Sequence, residues 1–440
     1  MAGQSKEEPT GSGTPQLVGL FSAGAGFFLV FASWGLMENL ISTYYAKLGY
    51  YSMALVYFGI GPGALIAPAI IAKTGPKLGM AFATLTYTLY SVAHLLMEYG
   101  IGQGGQLLLP AGVGVGLTCS TLWTSLGVYV KNLSQAYDKA KGLDSEKEGT
   151  LGIFTGFTDR AAPQLGGLTA LMGSSLLLRL TGSRRLLYTL VAASLGLGNV
   201  LFFFLPKHGD TSPAEKEAAR KKAEAGAKAG GEEDEKSGAS LLAVPKLLWK
   251  SSTLKKIGLC YLAVGFSQSY TTGTFTADAV AQTMGPEALG MTMAVNNTME
   301  VVAALAFGRL SDIFGRLPCY LGALALEAVN PLYFAFFPVV PGSGQRGLMM
   351  LLAACLGAGS SGCVCCLRAL VGDLFEGEET GIAMSTTFLI LSFSAGSGFY
   401  LGPNFGLQTK ARLYACLLGL SIASSFAAVS GAKRDKEANA

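Results

Sequence analysis

Gly308-Arg-Leu-Ser-Asp312-Ile-Phe-Gly315-Arg316 is a short polar interruption between two long apolar runs. Its chemistry suits a tight reversal between helices. Gly308 allows close helix approach and Gly315 a tight turn. Asp312 can accept backbone N–H groups at a helix N-terminus, and Arg316 can pair with a carboxylate. A stretch of related form, Pro68-Ala-Ile-Ile-Ala72-Lys-Thr-Gly75-Pro76-Lys77, stands earlier in the chain. Gly75 matches Gly315, but Ala72 stands where the later stretch has Asp312. Two such turns at corresponding places expose an internal repeat, with the charged latch kept only in the second copy.

Outward from these turns, apolar runs fall at 17–44, 52–72, 78–98, 106–130, 150–178 and 186–206, then at 254–278, 287–307, 317–338, 347–371, 380–402 and 411–430. A hydrocarbon core of ~30 Å needs roughly 20 helical residues, and backbone in lipid must satisfy its own hydrogen bonds. The expected fold is therefore an all-α membrane protein with twelve transmembrane helices in two pseudo-symmetric six-helix halves. The plan is a flexible tail 1–16, a first half 17–206, a charged linker 207–252, a second half 253–430 and a tail 431–440. Six plus six with a polar middle is the outline of a secondary transporter built from two repeats. Lysine and arginine concentrate in the loops that place the linker and both termini in the cytoplasm, with Arg184-Arg185 a local exception. The run from Leu17 is too long for a signal-peptide core and reads as an uncleaved first span.

Composition agrees. Hydrophobic residues make up 50% of the chain and charged residues 14%, with a mean hydropathy of +0.43. A soluble domain carries roughly 25% charged residues, so that class is excluded. The lysines sit in loops rather than on a folded basic face, which argues against nucleic acid as a partner. The partner that composition demands is the lipid bilayer. All eight cysteines lie in apolar runs. Cys363, Cys365 and Cys366 do not converge on one helix face, and no histidine is near them in sequence, so no metal site is expected. The two histidines, His94 and His208, are far apart in sequence. No nucleophile–base set stands out. The chain is expected to be neither an enzyme nor the holder of a cofactor.

Three further segments narrow the reading: Leu122-Trp123-Thr-Ser-Leu-Gly127-Val-Tyr129, Gly265-Phe-Ser-Gln268-Ser-Tyr270-Thr-Thr-Gly273-Thr-Phe275-Thr276, and Ala369-Leu-Val-Gly372-Asp-Leu-Phe375. With Glu38-Asn39-Leu40 and the Gly308–Arg316 loop, their order and spacing resemble the Unc-ninety-three-like family of the major facilitator superfamily. The resemblance runs from about Leu17 to about Ser430. It implies the facilitator bundle, in which one half rocks against the other. Members are linked to potassium-channel regulation, potassium homeostasis and trafficking of innate immune receptors. The chain departs from the pattern at Thr274, where the family often has an acid. Gly359, Ser360 and Ser361 stand where it often has a Gly-Asp pair and a Gln. Two functions follow as expectations. One is a transporter of a small solute or ion by alternating access. The other is a non-transporting regulatory or trafficking partner of an ion channel or receptor. The Asp312 loop favours the first; Ala72 and the sparse acids favour the second.

Ionisable residues at bilayer depth cost ~2.5–3.5 kcal/mol each on insertion scales and are functional suspects. Here they are Glu38, Asp159, Arg160, Glu300, Glu327 and Arg368. Arg160 and Glu300 lie at nearly equal depth, at ~1.5 Å of rise per residue. The resemblance implies that their helices, the fifth and eighth, meet between the halves. They form a candidate inter-half charge pair, the alternative being that Arg160 pairs within its own half and Asp159 is solvated in a cavity. Glu38 could carry a proton or bind a cation beside Asn39, or could reach the outer interface. Trp123, Gln268 and Tyr270 are cavity or packing candidates on helices that the resemblance places around the cavity. Glu327, beside Asn330 and Pro331, is expected to be structural.

Overall fold

The computed structural model describes residues 13–143, 150, 154, 156–206, 248–375 and 378–439, with side chains excepted at 68, 72, 156, 159, 160, 312, 372, 378–382, 384 and 431–439. The linker from 207 to 247 lies outside the described residues. The described chain is helical, with no strand among the described residues. In chain order the α-helices are α1 (Thr14–Glu98), α2 (Leu108–Lys141), α3 (Ala162–Thr181), α4 (Arg184–Phe203), α5 (Ser252–Ser269), α6 (Ala281–Met284), α7 (Leu289–Phe314), α8 (Arg316–Phe336), α9 (Arg346–Leu374), α10 (Glu378–Leu401) and α11 (Leu407–Asn439). Two π-helical segments, Gly156–Ala161 and Tyr270–Val280, lead into α3 and out of α5.

Helix α1 is broken at Ala46 (φ 45°, ψ −125°) and Gly75 (φ 78°, ψ 164°). Gly315, between α7 and α8, has φ 91° and ψ 157°. The two turn glycines of the repeated loop thus share one backbone conformation, which a side chain would strain. Ala46 holds its positive φ without being glycine, a strain of about 1–3 kcal/mol. By length and apolar content, seven stretches among the described residues are able to cross a membrane; the first, Thr14–Ala67, contains the Ala46 break. Large apolar side chains stay exposed on the outside, Phe21, Leu180, Phe204, Leu305, Ile313 and Phe336 among them. Such a surface is expected where lipid is the solvent. Two elements run further than the apolar pattern predicts: α2 continues to Lys141, and α11 to Asn439. Both extensions are polar and rich in the helix formers Ala and Lys.

The packing brings together sequence-distant helices. Helix α3 packs on α7, α1 on α10, and α1 on the Tyr270–Val280 segment. These contacts join helices from before the 207–247 stretch to helices after it, and a cavity sits between them.

Candidate functional site

The cavity, about 230 Å³, is lined from α1 by Phe31, Trp34, Glu38 and Asn39, and from α2 by Trp123. Gln164 of α3, Gln268 of α5, Thr271 and Thr272, Asn296, Asn297 and Glu300 of α7, and Ser360 of α9 complete the polar wall. Trp34 and Glu38 are four residues apart on one helix, so both face the same space.

Glu38 is buried at 7% exposure. Its Oε1 accepts hydrogen bonds from the Tyr57 hydroxyl at 2.6 Å and from Gln268 Nε2 at 2.9 Å. The second bond joins α1 to α5 across the cavity. Glu38 therefore does not reach an interface; it is held inside. Asn39 donates to the Gly35 carbonyl at 2.7 Å, and its Oδ1 is buried without a partner. Trp123 packs against Phe31 and Phe27, with ring centroids 5.1 and 5.5 Å away.

The other sequence candidates fall as follows. Tyr270 faces away from the cavity; it is buried and donates to Asn330 Oδ1 at 3.0 Å. Residues two apart on a helix do not share a face, so Gln268 in the cavity turns Tyr270 out. Glu327 is buried on α8 and accepts from Ser267 at 2.6 Å and from Tyr414, linking α5, α8 and α11. Arg316 donates to Asp373 Oδ2 at 3.0 Å and to Ser311 Oγ at 2.9 Å, tying the Gly308–Arg316 loop to the end of α9. Lys77 follows the Gly75 turn. The side chains of Asp159, Arg160 and Asp312 lie outside the described residues. Among the described residues no three His, Cys, Asp or Glu side chains gather as a metal site would require.

Three features were not singled out from sequence. Tyr57 holds Glu38. Asp138, buried near the end of α2, accepts from the Thr150 backbone N–H at 3.2 Å and its hydroxyl at 2.8 Å; a lone acid among lysines was its only signal. At the membrane end opposite the Gly315 turn, Lys410 is buried, donates to Asp278 and to the Gly402 carbonyl at 3.1 Å, and lies 5.4 Å from the Tyr50 ring centroid. These residues line a wider recess of about 670 Å³ with Ser42 and Ala46. They link α1, the π segment and α11 at that end of the bundle. Lys410→Met is expected to lower stability by about 2 kcal/mol, between the values for exposed and buried pairs. Asp278→Asn should cost a similar amount and the double change little more than either. Thermal unfolding in detergent measures this, and strictly additive losses would show that the pair is not coupled.

A helical bundle with a lipid-facing apolar surface and an acid-bearing cavity between its N-terminal and C-terminal helices is that of a multi-pass membrane protein of the facilitator type. Solved structures agree on the fold. A peptide transporter POT in complex with sulfate superposes with a TM-score of 0.68 at 14% identity, covering 94% of each chain. A D-xylose-proton symporter gives 0.65 at 14%, covering 93% of this chain and 96% of its own. The Major Facilitator Superfamily model matches residues 257–438. The family described as "Ion channel regulatory protein UNC-93" matches residues 41–338, and the chain belongs to it. Relatives include UNC93-like protein 3 of Arabidopsis thaliana, 23% identical over 87% of this chain and 79% of its own length. Protein unc-93 homolog A of Bos taurus is 24% identical over 90% and 89%.

Proposed function

We propose that the chain is an alternating-access carrier. In this reading twelve spans form two six-helix halves, 17–206 and 253–430, which rock about the central cavity, with both termini cytoplasmic. One observation carries it: the buried carboxylate of Glu38 on α1 is hydrogen-bonded to Gln268 on α5, so the ionisable group in the cavity is also a contact between the halves. A change of charge at Glu38, by proton or ligand, would then bear directly on how the halves meet. The Lys410–Asp278 cluster would be the closure on one side, and the Gly75 and Gly308–Arg316 loops would sit on the other.

A second reading, a regulatory partner of an ion channel, is favoured by the family description and by a Caenorhabditis elegans relative named as a putative potassium channel regulatory protein, which matches 31% of this chain at 24% identity.

Hydrogen exchange separates the two. Glu38→Gln keeps the shape and removes the charge. In a carrier, exchange around residues 42–50 and 270–282 should change in the opposite sense from exchange around 70–77 and 308–316. A static partner protein would change locally around Glu38 or not at all, and that result would end the carrier reading.

A further inference from the structure

We infer that the central cavity binds a small organic cation, an amine bearing at least one N–H, with its head at Glu38 and Asn39 and its apolar body on the aromatic wall. The inference rests on the carrier reading for the role of the cavity, but not for its chemistry.

Four observations converge. First, the hydrogen-bond donors on the buried Glu38 carboxylate, Tyr57, Gln268 and Trp34, are all neutral. A buried carboxylate left with neutral donors still gains from a cation beside it. Second, Asn39 is 4% exposed and lines the same cavity with a partnerless Oδ1. Its orientation is fixed, because the Nδ2 group donates to the Gly35 carbonyl and a flipped amide would set oxygen against oxygen. An orphan buried acceptor calls for a donor. The Thr271 hydroxyl, also on the cavity wall, is likewise buried without a partner. Third, Phe31, Trp34 and Trp123 supply a wall of rings, which attract a cation through their faces and accept an apolar body. Fourth, the volume of about 230 Å³ is below the range of roughly 300–1,000 Å³ typical of drug-sized ligands, so the occupant is small.

The competing classes fit less well. An anion would meet the Glu38 carboxylate. A bare metal cation takes oxygen ligands all round; the polar wall offers several, but Phe31, Trp34 and Trp123 on the same lining offer none. A quaternary ammonium would leave Asn39 Oδ1 without a donor.

The test uses full-length protein in detergent carrying Trp249→Phe. Trp249 is exposed, at 84%, and its removal leaves Trp34 and Trp123 as the reporters among the three tryptophans. Three ligands of one shape are titrated by tryptophan fluorescence: cyclohexylamine, cyclohexanol and cyclohexanecarboxylate. The amine should bind at least about tenfold more tightly than the other two, and Glu38→Gln should weaken it about tenfold or more. Exchanging sodium for potassium chloride should leave the amine's affinity unchanged. Equal binding of the three ligands, or marked competition by potassium, would overturn the proposal. So would preference for the carboxylate lost on Arg160→Gln, which would make the site an anion site. If Glu38→Gln fails to fold, the ligand series on otherwise unaltered protein decides alone. Binding is read at equilibrium and needs no rocking. A protein that binds amine but lacks the reciprocal exchange change loses the carrier reading and keeps the site. One that shows the exchange change without amine selectivity does the reverse.

Discussion

Gly290→Val is expected to destabilise the protein by about 3 kcal/mol, whereas the same change at Gly419 should cost under about 0.5 kcal/mol. A Cβ at Gly290 would overlap the Leu171 carbonyl oxygen and come within 2.7 Å of the Ser174 and Ser175 hydroxyls; at Gly419 nothing lies within 4 Å. Overpacking costs typically ~1–3 kcal/mol. The upper end applies because the obstacle is backbone, which cannot rotate away. Exposed substitutions stay within ~0.5 kcal/mol. The site also fixes where α7 begins. Ser175 Oγ donates to the Glu287 carbonyl at 2.9 Å and accepts from the Met291 N–H at 3.0 Å. Pushing α7 away from α3 breaks both bonds. In a carrier the two helices part during the cycle, so part of the loss should appear as faster hydrogen exchange at 170–178 and 286–294, with the protein still folded. Equal melting temperatures for the two valine variants would show that α3 and α7 do not pack as described.

What was legible in the sequence is what has a local cause. The apolar runs announce helices because lipid leaves backbone no other partner. The paired turns at Gly75 and Gly315 were readable because a positive φ selects glycine among charged neighbours. Glu38 could be nominated because an ionisable group at bilayer depth is costly and rare, and Gln268 because the family resemblance places its helix around the cavity. Their bond could not be read, since 230 residues separate them. The Lys410–Asp278 pair was hidden for the same reason: at 132 residues apart, each looks like a loop charge until α11 packs on the π segment. Tyr270 was nominated with Gln268 as a cavity or packing residue, and it takes the packing role, with an interhelical hydrogen bond to Asn330. Helical geometry alone separates them, because two positions along the helix is more than half a turn. The π segments left no signal in hydropathy, which does not distinguish one helical pitch from another.

An equally large effect is expected at Arg160 and Glu300. Glu300 lines the central cavity together with Gln164, which lies four residues after Arg160 in the chain, and α3 packs on α7. Opposite charges at matched depth, one just before α3 and one on α7, are expected to pair across the halves. Glu300 is half-buried, so removing one member leaves an unpaired charge at about 3 kcal/mol, the lower end of the ~3–5 kcal/mol for a buried pair. Arg160→Gln and Glu300→Gln should each lower the melting temperature strongly, and each should speed exchange around residues 308–316. The double variant should cost clearly less than the sum, because no uncompensated charge remains. This non-additivity is the signature of a pair, and stability loss alone is not, since any buried polar change can produce that. If the two losses add, the residues act through separate partners. Arg160 would then be the cavity's own candidate for holding an anionic group, and Glu300 a second acid beside Glu38.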